Sequence, residues 1–173
     1  ALFELKFKVK PEVVEPLPRS GSDRVYYRLR AGDQLAIGAY NPDVKENEAF
    51  FSFTKSFLDH GINVPNLYAI APDRLHYLIS DLGNVTFYDH IRTIHNTGKC
   101  SGGICLLKGI LAGLIKLQIE GAKAIDFSKC YPRATFDMQS ILWDLNYFKY
   151  EFLKLTGTAF NEQLLEDDFN RLA

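Results

Sequence analysis

Residues 16–40 read PLPRSGSDRVYYRLRAGDQLAIGAY, and the fold turns on how the polar break in this stretch is understood. Val25 to Leu29 and Gln34 to Tyr40 are rich in Val, Tyr and Ile, side chains that pack well on a pleated surface. Arg30-Ala31-Gly32-Asp33 is the turn between them. Upstream, Glu12 to Pro18 is a short apolar run bounded by prolines, which assigns it to a sheet edge. The break itself, Ser20-Gly21-Ser22-Asp23-Arg24, admits two readings. It is a plain hairpin turn, because short glycine-containing loops join strands routinely. Or it is a flap over an anion, because a glycine between small polar residues lets backbone N–H groups approach a phosphate closely, with Arg24 adding charge.

Downstream, Asn41-Pro42-Asp43 starts a helix, with Asp43 as N-cap and Glu46 three residues later as in a capping box. Glu46 and Glu48 also sit near the positive helix end. Phe50, Phe53, Phe57 and Leu58 recur at helical spacing, so they are expected on its buried face. Gly61 suits a left-handed cap after His60. Val64 to Ile70 and Leu75 to Ser80 read as two further strands around an Ala71-Pro72-Asp73-Arg74 turn. After Asp81-Leu82-Gly83-Asn84 the chain reads as helical at about 85–95, 102–120, 136–156 and 161–172. In the third helix Ile141, Leu145, Phe148, Phe152 and Leu155 form an apolar stripe, and Asn161 caps the last. Gly109 and Gly113 weaken the helix they lie in, and close packing or incomplete helicity would explain them. The order of elements is α+β, with a boundary near residue 83.

Composition narrows the function classes. The chain has 173 residues, enough for one good core or two small ones, and 20 Lys+Arg against 21 Asp+Glu. Such a balance offers no field that would attract nucleic acid or an anionic membrane. The apolar run from Ile104 to Ile119 is broken by Lys108, Lys116 and glycines, so it does not span a bilayer. The charged N-terminus is not a secretion signal. Cys100, Cys105 and Cys130 form no CxxC pair and read as free thiols in a reducing, cytoplasmic setting. The four histidines lack metal-ligand spacing.

The order of elements, with RSGSDRVYYRL, QLAIG, DVKENEAF and YLISDLGN at their places in it, resembles the protein-kinase-like fold of the aminoglycoside and choline phosphotransferases. Gly61 to Pro65 followed by the SDLG segment is most similar to the bacterial N-acetylmuramate/N-acetylglucosamine anomeric sugar kinases. The resemblance covers essentially the whole chain. It implies a kinase-like small lobe over residues 1–83, a five-stranded antiparallel sheet with one helix. The first helices of a large lobe would follow over 84–173, cut before the catalytic loop. The implied activity is ATP-dependent transfer of phosphate to a sugar or aminosugar hydroxyl, with nucleotide and small-molecule acceptor as partners. Neither nucleic acid nor membrane is expected as a partner. The alternative is a non-catalytic, pseudokinase-like module that binds a nucleotide or a protein.

The resemblance also assigns positions. Ser20, Gly21, Ser22, Asp23 and Arg24 would cover the nucleotide phosphates. Tyr26 and Ala36, expected on one side of the sheet, would cover the base, with Ile79 behind it. Ser80, Asp81, Leu82 and Gly83 would form the hinge, with the Ser80 carbonyl and Leu82 N–H reading the base and Gly83 turning the chain away. The lysine usual in the third strand is absent, Gly38 standing in its place. Arg24 or Arg28 is therefore expected to supply the cation, and Glu48 or Glu46 its acidic partner. No H-x-D or R-D-x-x-x-x-N run occurs, so the base and the Mg ligands are expected outside these residues. Asp144 and Tyr150 are candidates for the acceptor side, and Asp167-Asp168 reads as a solvated acidic face. The helix faces that a full large lobe would cover are expected to promote self-association.

Overall fold

The computed structural model describes residues 1–19, 21–97 and 103–173. Five strands pair antiparallel in the order β1-β2-β3-β5-β4. They are β1 (Val13–Pro16), β2 (Val25–Ala31), β3 (Gln34–Tyr40), β4 (Leu67–Ile70) and β5 (His76–Ile79). This is the α+β arrangement expected from the element order. The β2–β3 register runs from Val25 opposite Tyr40 to Ala31 opposite Gln34, and Ile37 and Ala39 then pair with Ile79 and Tyr77. Because alternate residues point to opposite faces, this register fixes two surfaces. Tyr26, Arg28, Ile37, Ala39, Tyr77 and Ile79 share one. Tyr27, Leu29, Ala36, Gly38 and Leu78 share the other.

Each face has its own helix. Helix α2 (Val44–Asp59) packs on the first, where Phe51 joins Ile37, Ala39, Tyr77 and Ile79 in one buried cluster. The Phe51 ring meets Tyr77 edge-on at 5.2 Å. Helix α1 (Leu2–Phe7) packs on the second, where Phe3 joins Ala31, Ala36 and Leu78. The sequence reading assigned no element to residues 1–10. Phe3 and Phe7, four apart and in contact at 4.7 Å, are the helical signal it passed over.

Asp43 caps α2 as expected, accepting from the amides of Lys45 at 2.9 Å and Glu46 at 3.1 Å. The buried stripe differs from expectation. Asn47, Phe51 and Thr54 are buried, whereas Phe50, Phe53, Phe57 and Leu58 are only half-buried. Phenylalanines occupy two adjacent stripes of this helix, so periodicity alone could not choose between them. Gly61 ends the helix at φ 65°, its amide donating to the Leu58 carbonyl at 3.0 Å.

After β5 the chain continues through α3 (Phe87–Thr97), α4 (Gly103–Lys116), a π-helical turn (Leu117–Gly121) and α5 (Ala122–Ala124). Gly121 lies close against α2: a Cβ there would stand 3.2 Å from the Phe57 ring, which would have to give by a few tenths of an ångström. Gly109 and Gly113 have open space around them, and both lie in regular α-helix. Neither close packing nor incomplete helicity accounts for them.

Contacts divide the chain into two units, Ala1–Tyr131 and Pro132–Ala173. The second holds α6 (Met138–Phe148), a π-helical turn (Lys149–Leu153), a 3-10 turn (Lys154–Thr156) and α7 (Glu162–Leu172). Asp137 and Asn161 cap α6 and α7 through the amides of Ser140 at 3.1 Å and Leu164 at 3.0 Å. The buried Lys149 ammonium bridges to Glu162 at 2.6 Å and Glu166 at 2.5 Å, which raises its pKa further. The π-helical turn breaks the 3.6-residue period. Phe152 and Leu155 of the expected stripe, within and beyond the turn, are exposed, and so is Phe148 just before it. No helix among the described residues is long and apolar enough to cross a membrane.

Candidate functional site

Alternation along β2 and the residue before it puts Arg24, Tyr26 and Arg28 on the face that α2 covers. Arg24 reaches α2: its Nη2 donates to Glu46 Oε1 at 3.0 Å, and its guanidinium lies over the Phe50 ring at 5.3 Å. Glu46 Oε2 in turn accepts from Asn41 Nδ2 at 2.8 Å. This carboxylate therefore holds the guanidinium in place instead of closing a capping box. Tyr77 is 1% exposed, and burial pushes its phenol up to about 12. Among the described residues, its hydroxyl and Arg24 Nε are buried and have no hydrogen-bond partner. Such groups normally find one. A fixed cation beside an unsatisfied donor is suited to receiving an anionic oxygen.

Arg28 runs from the same face to the segment after β5. Its Nε donates to Asp81 Oδ2 at 2.5 Å and its Nη2 to Asp81 Oδ1 at 3.1 Å, a two-pronged clamp. Its Nη1 also donates to Asn84 Oδ1, and Nη2 approaches the Gly83 carbonyl at 3.4 Å. The guanidinium holds the Asp81 carboxyl below the ordinary carboxylate range. Asp81 Oδ1 accepts from the Gly83 amide at 2.8 Å, and Gly83 turns the chain at φ 88°. A side chain at that φ would strain the backbone.

Ser80 is anchored on both sides of Asn66. Its amide donates to the Asn66 carbonyl, and its hydroxyl accepts from the Asn66 amide, each at 2.9 Å. Among the described residues nothing donates to the Ser80 carbonyl, and the Leu82 amide donates to nothing. Leu82 itself is 74% exposed. An anchored extended segment with one free acceptor and one free donor two residues apart can recognise the edge of a flat heterocycle.

The β1–β2 loop is closed at its base by the Leu17 amide donating to the Tyr26 carbonyl at 2.9 Å. Gly21, Ser22 and Asp23 are exposed, and no atom lies within 4 Å of where a Gly21 Cβ would be. The Ser22 and Asp23 amides make no hydrogen bond among the described residues. Ser20 lies outside the described residues.

Three expectations are corrected. Ala36 pairs with Leu29, so it faces away from Tyr26 and is fully buried under α1. It cannot cover a ligand from Tyr26's side of the sheet. Gly38, paired with Tyr27 and Leu78, also faces away from α2. The β3 residues turned toward α2 are Ile37 and Ala39, neither of them basic. Glu48 is engaged elsewhere: both its oxygens accept from Arg74, Oε2 at 2.5 Å, and this guanidinium lowers the Glu48 carboxyl. The acid that meets an arginine of β2's face is Glu46. Ile79 is buried in the α2-side cluster, behind Ile37.

Sequence reasoning missed Asn47. It is fully buried, and its Nδ2 donates to the carbonyls of Asn41 and Arg74, each at 2.9 Å. It ties the start of α2 to the end of β3 and to the turn before β5. An asparagine four residues before the buried Phe51 was the available signal. In the second unit Asp144 is exposed, and Tyr150 is exposed with Lys154 Nζ at 4.9 Å over its ring. Asp167 and Asp168 are exposed, as expected of a solvated face. No family model and no curated protein matches this chain.

Proposed function

We propose that the chain is the nucleotide-holding part of an ATP-dependent small-molecule phosphotransferase of the protein-kinase-like kind, acting on a sugar or aminosugar hydroxyl. The observation that carries this reading is the division of labour along β2. Arg24 is held by Glu46 of α2, and Arg28, four residues on, clamps Asp81 of the 80–84 segment. In this reading Arg24 stands where a kinase uses the third-strand lysine, neutralising phosphate charge while Glu46 orients it. Arg28 positions the hinge, whose Ser80 carbonyl and Leu82 amide read the base. The loop at 21–23 offers its free amides to the phosphates. The strand order and helix α2 packed on the arginine-bearing face support the same reading, although α1 on the opposite face is a second helix that the resemblance did not include. Bound ATP would bring Mg, which neutralises phosphate charge in the transfer.

The test is thermal unfolding with and without ATP–Mg. A ligand at about 100 times its dissociation constant adds about 2.7 kcal/mol to the folded state, so Tm should rise and then saturate. Arg24→Ala should abolish most of the rise, Arg24→Lys should keep part of it, and the exposed control Arg30→Ala should keep all of it. Absence of any rise with nucleoside triphosphates would contradict the reading, as would an unchanged rise in Arg24→Ala.

The second reading, a non-catalytic nucleotide- or protein-binding module, is favoured by one observation: no basic residue of β3 faces α2. The enzyme and the nucleotide-binding form of the second reading both expect nucleotide binding; the protein-binding form does not. Phosphotransfer to an aminosugar by the full-length protein, lost in Arg24→Ala, distinguishes the enzyme.

A further inference from the structure

The face of the sheet opposite the arginines carries a groove of about 770 Å³. Its floor is Gly38 and Leu78, and one wall is Leu2, Phe3, Pro11 and Val14. The other wall is Tyr40, whose ring packs on His76 at 4.9 Å, together with Pro72. Val25, Tyr27 and Leu29 complete it from β2. Its volume is that of a small-molecule site, and its lining is dominated by apolar and aromatic groups with few polar ones.

Two features say what would fill it. A glycine inside a strand costs stability and marks a place where something approaches the backbone closely. At Gly38 the close neighbour is the chain's own Leu29 side chain, 3.2 Å from where a Cβ would stand, so a larger residue here would crowd Leu29 and narrow the groove. The charges are one-sided. Arg19 lines the groove and makes no ion pair or hydrogen bond among the described residues, and no Asp or Glu lines it. The nearby acid Asp73 is occupied by the His76 ring at 2.7 Å.

We propose that this groove is a second ligand site, on the opposite side of the sheet from the nucleotide-holding face. It would take an apolar monoanion whose acyl chain or ring lies on Gly38 and whose carboxylate meets Arg19. The proposal does not depend on the nucleotide reading.

The experiment is NMR titration of the ¹⁵N-labelled chain, without nucleotide, using decanoate and, separately, decylammonium, which has the same apolar length and the opposite charge. Saturable shifts are expected at the Val25, Gly38 and Leu78 amides, with decanoate at least ten-fold tighter than decylammonium. Arg19→Glu should reverse that preference. Gly38→Val should weaken decanoate at least ten-fold. Should Gly38→Val fail to fold, Val25→Phe fills the same space from β2 and should have the same effect. Equal affinity for the two head groups, undiminished binding in Val25→Phe, or shifts confined to the helices after residue 84 would overturn the proposal.

Discussion

Asp81 decides how the 80–84 segment responds to acid. Accepting the Arg28 guanidinium favours its carboxylate, so its folded pKa lies below the unfolded value near 3.9. A carboxyl depressed on folding contributes stability that is fully present above the unfolded value and lost as pH falls toward the folded one. The chain should therefore lose part of its stability below about pH 4. That part should be missing from the acid limb of Asp81→Asn, measured by urea unfolding across pH. At neutral pH Asp81→Asn should cost about 2 kcal/mol, between the values for exposed and buried pairs. Asn47→Ala should cost about as much by stranding the buried Asn41 carbonyl and the partly buried Arg74 carbonyl. If its Tm equals that of the parent chain, Asn47 does not join α2 to the two turns as described. Neither role was legible in the sequence. Arg28 read as a phosphate cation because its partner lies 53 positions away in the chain, and only the sheet brings Asp81 to it.

At the scale of elements, the strands and their order could be read directly, because β-branched and aromatic runs separated by glycine and proline turns have few other uses. Which face each residue takes could not, since a one-residue shift in register inverts every side chain. Tyr26 with Ala36 was such an inversion: their separation is even, but they sit on different strands, and only the Tyr26–Ala39 pairing settles the matter. The α2 stripe failed for a different reason, having more phenylalanines than one face can bury. Two substitutions separate the faces. Phe51→Ala should cost about 3–5 kcal/mol as a buried aromatic truncation, whereas the half-buried Phe53→Ala should cost about a third of that. Equal losses in chemical denaturation would return the expected stripe to the core. Gly83→Ala should cost about 1–2 kcal/mol through its left-handed φ, with the sheet's near-UV circular dichroism unchanged.

For the whole molecule, much apolar surface is uncovered. Ile104, Leu111 and Ile115 of α4 are exposed in the first unit, and Trp143, Tyr147 and Phe152 in the second. Large exposed patches of this kind mark interaction sites or association. Sedimentation should therefore show the average mass of the chain rising with concentration, and a constant monomer mass would contradict the expectation. The proposed nucleotide site is one face of the sheet, with Arg24 at one end and the Arg28–Asp81 clamp at the other. Amide hydrogen exchange with and without saturating ATP–Mg tests it most directly. Slowed exchange is expected in residues 21–28 and 80–84 together, with α4 unaffected. Unchanged exchange in both segments, or protection confined to α1 and β1, would contradict it.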